Sequence, residues 1–264
     1  MLEIKEITKV FNPNTVNAKT ALNGLSLTLN DGDFVTVIGG NGAGKSTLLN
    51  AIAGVFQTDD GEILLDGELL NGIPEYKRAK YLGRVFQDPM LGTAADMQID
   101  ENLALAKRRG ELRGLGWGIK SGEREEYRQL LAELDLGLED RLTSKVGLLS
   151  GGQRQAVTLL MATIKKPKLL LLDEHTAALD PKTAAKVLQI TDKIVNANKL
   201  TTLMITHNMK DAIEHGNRLI MLHAGKVIID VAGEEKKKLT VEDLLEMFTK
   251  ASGSEFSSDR AILS

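Results

Sequence analysis

Gly39-Gly40-Asn41-Gly42-Ala43-Gly44-Lys45-Ser46-Thr47 is the stretch whose reading decides the fold. It fits the pattern G-x-x-x-x-G-K-[ST] at Gly39, Gly44, Lys45 and Ser46. A triphosphate concentrates several negative charges in a small volume. Glycines let the backbone curl so that successive N–H groups converge on those oxygens. Lys45 adds a point charge near the β- and γ-phosphates, and the Ser46 hydroxyl suits Mg²⁺. The flanks supply the context such a loop requires. Phe34-Val35-Thr36-Val37-Ile38 reads as a buried strand entering it, and Ser46 to Ala53 as a helix leaving it, closed by Gly54.

Composition bounds the rest. The chain has 264 residues, 42% hydrophobic, which suffices for one large α/β domain. Its 33 basic and 36 acidic residues give a formal net charge of -3, so electrostatics offer no reason to expect nucleic acid as a partner. Cysteine is absent, which excludes disulfides and thiolate metal sites. The start Met1-Leu2-Glu3-Ile4-Lys5-Glu6 lacks a signal-peptide core, and no long apolar run spans a membrane. The expectation is a soluble, cytoplasmic chain that reaches a membrane only through a partner.

Strand patterns recur at Leu2–Thr8, Leu25–Leu29, Phe34–Ile38, Gly61–Leu65, Lys168–Leu172, Thr201–Thr206, Arg218–Leu222 and Lys226–Val231. Asp31-Gly32 and Ala224-Gly225 carry hairpin chemistry. Pro181 to Asn198 reads as a helix capped by Asp180 with proline in its first turn. Alternating strands and helices predict an α/β fold with a mainly parallel sheet and an antiparallel β addition near the start. From 88 to 150 strand signals fade and Asp100–Arg108 and Gly122–Leu136 read as helices. That segment is expected as an inserted α-helical lobe on a core of 1–87 and 151–232. From 233 to 264, a capping signal at Thr240 precedes a short helix and a polar, frayed tail.

Two further signals accompany the loop. Leu169-Leu170-Leu171-Leu172-Asp173-Glu174 describes a buried strand delivering carboxylates at its carboxyl end, where open parallel sheets bind ligands. Asp173 suits Mg²⁺, directly or through water, and Glu174 can accept a proton from an attacking water. Leu149-Ser150-Gly151-Gly152-Gln153 precedes a helical run to Ile164, and a helix start after Ser-Gly-Gly offers free N–H groups, a positive dipole end and a hydroxyl. The same pattern also describes a capped helix and no more.

Taken in order, the phosphate loop, Gln87 in Val85-Phe86-Gln87-Asp88-Pro89, Leu149-Ser150-Gly151-Gly152-Gln153, the leucine strand with Asp173-Glu174, Ala178-Leu179-Asp180 and His207 after Ile205-Thr206 resemble the ATP-binding-cassette (ABC) ATPases. The match runs over about residues 2 to 232. The resemblance implies a P-loop NTPase core, ATP as substrate and Mg²⁺ as cofactor. It implies that Gly39, Gly40, Asn41, Gly42, Ala43, Gly44, Lys45, Ser46 and Thr47 hold the phosphates and that Phe11 stacks on adenine in place of the more usual tyrosine; a core aromatic is the other reading of Phe11. Glu174, His207, Gln87 and Lys45 are implied as the catalytic set, and Ser46, Gln87 and Asp173 as metal ligands. Ser150, Gly151, Gly152 and Gln153 are implied to face the ATP of a partner subunit, with Asp180 in a dimer-interface loop. One departure is visible: His175 follows the acids where the family commonly has proline, and it reads as a tolerated change.

The resemblance also implies partners. These are a second cassette, identical or related, in a head-to-tail pair, since the chain carries one copy of each motif; integral membrane permease subunits docking on the helical lobe near Met90, Leu91, Met97 and Trp117, for which packing within the lobe is the other reading, above all for Met97; and an extracytoplasmic substrate-binding protein. The runs around Ser150 and Glu174 look like importer ATPases associated with tryptophan/tyrosine-type binding proteins. The implied role is amino-acid import at the cytoplasmic face of the membrane. A stand-alone cytosolic cassette of the iron–sulfur assembly type is the alternative.

Overall fold

Phe34–Ile38 is buried at all five positions, as expected for a strand covered on both faces. A computed structural model of the chain describes residues 1–111 and 118–252. Trp117 and the expected frayed tail lie outside the described residues. In chain order the elements begin with β1 (Leu2–Phe11), β2 (Lys19–Leu29), β3 (Phe34–Ile38), α1 (Lys45–Ala53), β4 (Asp60–Leu65), β5 (Glu68–Leu69) and α2 (Glu75–Arg78). Next come β6 (Leu82–Val85), α3 (Ile99–Lys107), α4 (Glu123–Ala132), α5 (Gly151–Thr163), β7 (Leu169–Asp173) and α6 (Pro181–Asn198). The chain continues with β8 (Thr202–Ile205), α7 (Met209–Glu214), β9 (Arg218–His223), β10 (Lys226–Ala232), α8 (Gly233–Lys237) and α9 (Val241–Ser252).

The chain divides into two compact units, Met1–Arg78 with Lys199–Ser264, and Ala79–Asn198. The second unit is larger than the lobe expected at 88–150, because β6, β7, α5 and α6 group with the intervening helices.

In the first unit, β1 lies antiparallel between β2 and β4. β3 runs parallel to both β8 and β9, and β10 closes an antiparallel hairpin on β9 through Ala224-Gly225. Ala224 and Gly225 both adopt positive φ, which that tight turn requires. Asp31-Gly32, in contrast, closes no hairpin. β2 pairs with β1 whereas β3 pairs with β8 and β9, so the turn passes the chain from one sheet to another. The amphipathic α9 buries Leu244 and Phe248 against Met221, Ile229 and Val231.

In the second unit, β6 and β7 pair in parallel, Leu82 opposite Leu169 through Val85 opposite Leu172. β6 was not expected from sequence. α4 ends at Ala132, four residues short of the expected Leu136, because Asp135 and Gly137 turn left-handed. α5 starts at Gly151, so the two glycines form its first turn instead of preceding it.

Candidate phosphate-loop site and signature helix

The glycine loop is built by β3 and α1. Gly39, Gly42 and Gly44 all have positive φ, at 149°, 77° and 105°. A β-carbon on Gly39 would overlap the Leu222 carbonyl, and one on Gly44 would lie 2.5 Å from the Ala21 carbonyl. Glycine is therefore required by close approach as well as by dihedral angle. The β9–β10 turn supports the loop from outside: Gly225 N–H donates to the Ala43 carbonyl at 3.0 Å. No side chain caps the start of α1 at Gly44, so its first N–H groups face the loop's concavity. Lys45 is 5% exposed, and its ammonium donates to the carbonyls of Gly39 at 2.7 Å and Gly40 at 3.3 Å.

The far end of α1 is anchored by Arg78, which sequence reading missed. The buried guanidinium donates to Ala51 and Ile52 carbonyls, each at 2.8 Å, and to Ile73 carbonyl at 2.8 Å. Desolvation lowers its pKa, and its charge sits where the helix dipole is negative. The signal in the sequence is slight, an arginine after a short polar run.

Phe11 ends β1 and is 36% exposed, so it is not a core aromatic. Its ring meets Phe56 edge-on at 5.4 Å between centroids, and Lys9 lies over both rings. His207 is half-buried in the turn between β8 and α7. Thr206 N–H donates to the Val37 carbonyl, which places that turn beside the end of β3 that enters the glycine loop. The first unit thus carries Phe11 at the end of β1, residues 39–47 between β3 and α1, and His207 in the turn after β8.

The second unit holds the other expected residues. The parallel register of β6 and β7 sends Gln87 and Asp173-Glu174 out of the same end of the strand pair. Gln87 is exposed; Asp173 lies 4.0 Å from the Arg84 guanidinium. Glu174 adopts a left-handed φ of 46°, uncommon for a residue with a side chain and a recurrent feature of functional turns. Gln155, 1% exposed, donates from Nε2 to the Phe86 carbonyl at 3.2 Å. It fixes the segment leading to Gln87, a role no local pattern reveals.

His175 is 2% exposed, and its Nε2 lies 3.1 Å from the Thr191 hydroxyl. That hydroxyl donates to the Val187 carbonyl, so the imidazole N–H is the donor to Thr191. The reading of His175 as merely tolerated is incomplete: it ties the turn after Glu174 to α6.

Ser150 caps α5 in a reciprocal box. Its hydroxyl accepts from Gln153 N–H at 3.3 Å, and Gln153 Oε1 accepts from Ser150 N–H at 3.2 Å. Ser150 and Gly151 are exposed. A β-carbon on Gly152 would overlap the Thr183 methyl, and one on Gly151 would approach Leu179 to 3.2 Å. The starts of α5 and α6 are thereby in contact, which groups Ser150, Gly151 and Gly152 with the Asp180 loop. Thr183 hydrogen bonds hold the Asp180 carboxyl below its ordinary range as it caps α6.

Among the described residues no helix is long and apolar enough to cross a membrane.

Comparison with known proteins identifies the family. The family described as ABC transporter matches residues 22–177. The chain is 48% identical over 251 residues to a tyrosine transport ATP-binding protein of Clostridioides difficile, covering 95% of this chain and all of that one (100%). It is 34% identical over 235 residues to the spermidine/putrescine import ATP-binding protein PotA of Haemophilus influenzae, covering 89% of this chain but 59% of that longer one. A solved dimeric post-hydrolysis structure of the ATP-binding cassette MJ0796, bound to ADP and Pi, superposes with TM-score 0.74 at 30% identity, covering 88% of this chain and 98% of that one.

Proposed function

Because the chain belongs to the ABC transporter ATPase family, we propose that it powers import of an aromatic amino acid or a related small solute through a separate membrane permease. ATP binding and hydrolysis follow from family membership. One observation supports the choice of solute, the 48% identity to a tyrosine transport ATP-binding protein along 95% of this chain.

The residues take the following parts. Phe11 stacks on the base, and the N–H groups of 39–47 with Lys45 hold the phosphates. Glu174 orients or deprotonates the water that attacks the γ-phosphate in line, while His207 contacts that phosphate and steadies Glu174. Gln87 contacts the attacking water and relays the state of the site to the permease. Mg²⁺, when bound, offsets charge on the phosphate oxygens. Ser46, Gln87 and Asp173 each offer an oxygen donor of the kind Mg²⁺ takes, and Mg²⁺ keeps several waters and needs no all-protein cage.

The exposed Ser150–Gly151 start of α5, grouped with Asp180, acts on the ATP of a second cassette, most simply an identical one. Exposed Met90 and Leu91, with half-buried Met97, form the permease contact on the second unit. The chain then sits peripherally at the cytoplasmic membrane face, and an extracytoplasmic binding protein delivers the solute.

Purification of the tagged chain from its native membranes tests this reading. The expected result is a detergent-dependent complex with a polytopic protein whose ATPase rate rises with tyrosine- or tryptophan-loaded binding protein. A soluble complex with no membrane component would contradict transport and favour the assembly alternative.

A further inference from the structure

We infer that Lys19 is a second phosphate-binding cation, reaching over the glycine loop from outside while Lys45 acts from within. The inference rests on the phosphate-loop reading above and adds a residue to it.

Lys19 opens β2 and pairs across the sheet with Phe11 at the end of β1. The connection between them is an ordered turn. Asn12 and Asn14 are left-handed, the Thr15 hydroxyl donates to the Asn12 carbonyl at 2.8 Å, and Ala18 N–H donates to the Thr15 carbonyl at 3.1 Å. β2 then runs along the glycine loop, its Ala21 carbonyl and Leu22 side chain lying against Gly44. Two residues before Ala21, Lys19 extends over the loop's apex. Its Nζ lies 3.1 Å, and its Cε 3.9 Å, from the point a β-carbon on Gly42 would occupy. The ammonium therefore fills the space left open by the missing side chain of Gly42.

The two lysines differ in kind. Lys45 is buried and bonded to the carbonyls of Gly39 and Gly40. Lys19 is exposed, on a flexible stem, beside the aromatic proposed to hold the base. Phe11, Lys19 and Gly42 thus form a path from aromatic ring to phosphate loop on adjoining elements. An ammonium at that point favours ligands with two or more phosphates over a nucleoside, which presents no charge to it.

Calorimetric titration of the full chain with ATP, ADP and adenosine tests the assignment. Lys19→Met should weaken ATP and ADP about fivefold to tenfold, the range between an exposed ion pair and a charge-assisted hydrogen bond. Adenosine affinity should stay unchanged, the salt dependence of ATP binding should become shallower, and Lys19→Arg should restore most of the loss. Lys19→Met binding ATP and ADP within twofold of the parent, or losing adenosine equally, would overturn it. Lys45→Ala, run in parallel, separates the two readings. If Lys45→Ala weakens ATP binding and Lys19→Met does not, Lys19 alone is excluded. If Lys45→Ala binds ATP as the parent does, the loop is not the phosphate site and both readings fail.

Discussion

The Lys45 ammonium donates to the Gly39 carbonyl at 2.7 Å, closing the glycine loop on itself. In the proposed function, a phosphate entering the loop would compete with that carbonyl for the same charge. The interaction keeps a nearly buried cation satisfied until the ligand arrives. Lys45→Ala should leave the fold intact, within about 1 kcal/mol of stability, because its bonds to Gly39 and Gly40 are local to the loop. It should lower ATP turnover by at least about a hundredfold, since Lys45 is the cation within the loop and Lys19, reaching over it from outside, does not take its place. Phosphate release and thermal unfolding, measured side by side, check both halves.

Arg78 gives a contrasting prediction. It donates to three carbonyls from inside the first unit, two of them at the end of the phosphate-loop helix α1. Arg78→Met fills similar volume but leaves those carbonyls without their donor. The expected loss is about 2–4 kcal/mol by chemical denaturation. A change under about 0.5 kcal/mol would mean the carbonyls find other donors.

How much of this was legible beforehand differs element by element. β3 and α6 were placed to the residue, the first by the run Phe34-Val35-Thr36-Val37-Ile38 leading into the glycine loop and the second by a capping aspartate and a first-turn proline. β6 was not, because Gly83 and Arg84 interrupt its apolar run. A β-carbon on Gly83 would come within 2.6 Å of the Ala162 carbonyl, so the glycine answers a tertiary contact that no local pattern encodes. Asp31-Gly32 has the chemistry of a hairpin turn, but strand pairing is decided by distant partners. The glycine loop and the Ser150 helix start were readable because their function is local backbone geometry. Lys19, Arg78 and Gln155 were not, because each acts on a part of the chain remote in sequence.

The turn after Glu174 should depend on the His175–Thr191 hydrogen bond, both groups being buried. His175→Ala is expected to cost about 1–3 kcal/mol through the lost bond and the space it leaves. Thr191→Val should cost less. A double-mutant cycle between them should show a coupling of about 0.5–1.5 kcal/mol, whereas strict additivity would show that the bond contributes nothing.

Acid stability offers a separate check near Phe11. The Lys9 ammonium, at 2.7 Å, and Val10 N–H hold the Asp59 carboxyl below its ordinary pKa of 3.8. The folded value is lowered, so the contribution is complete above the ordinary value and is lost as pH falls through the folded one. Asp59→Asn should therefore flatten the acid limb of the stability curve below about pH 4. At neutral pH it should cost no more than about 1 kcal/mol, because the pair is partly exposed. Denaturant midpoints across that range measure the slope.

In the proposed function, this chain and a second cassette clamp ATP between the glycine loop of one and the Ser150 helix start of the other. Glu174→Gln removes the proposed base while keeping the side chain's shape, so it should bind ATP, hydrolyse it at least about a hundredfold more slowly and accumulate as a dimer. A crystal structure of that variant with ATP is the most direct measurement. The account predicts the Ser150 hydroxyl within hydrogen-bond distance of the γ-phosphate held on the partner's loop. A dimer with Ser150 remote from every terminal phosphate would contradict it.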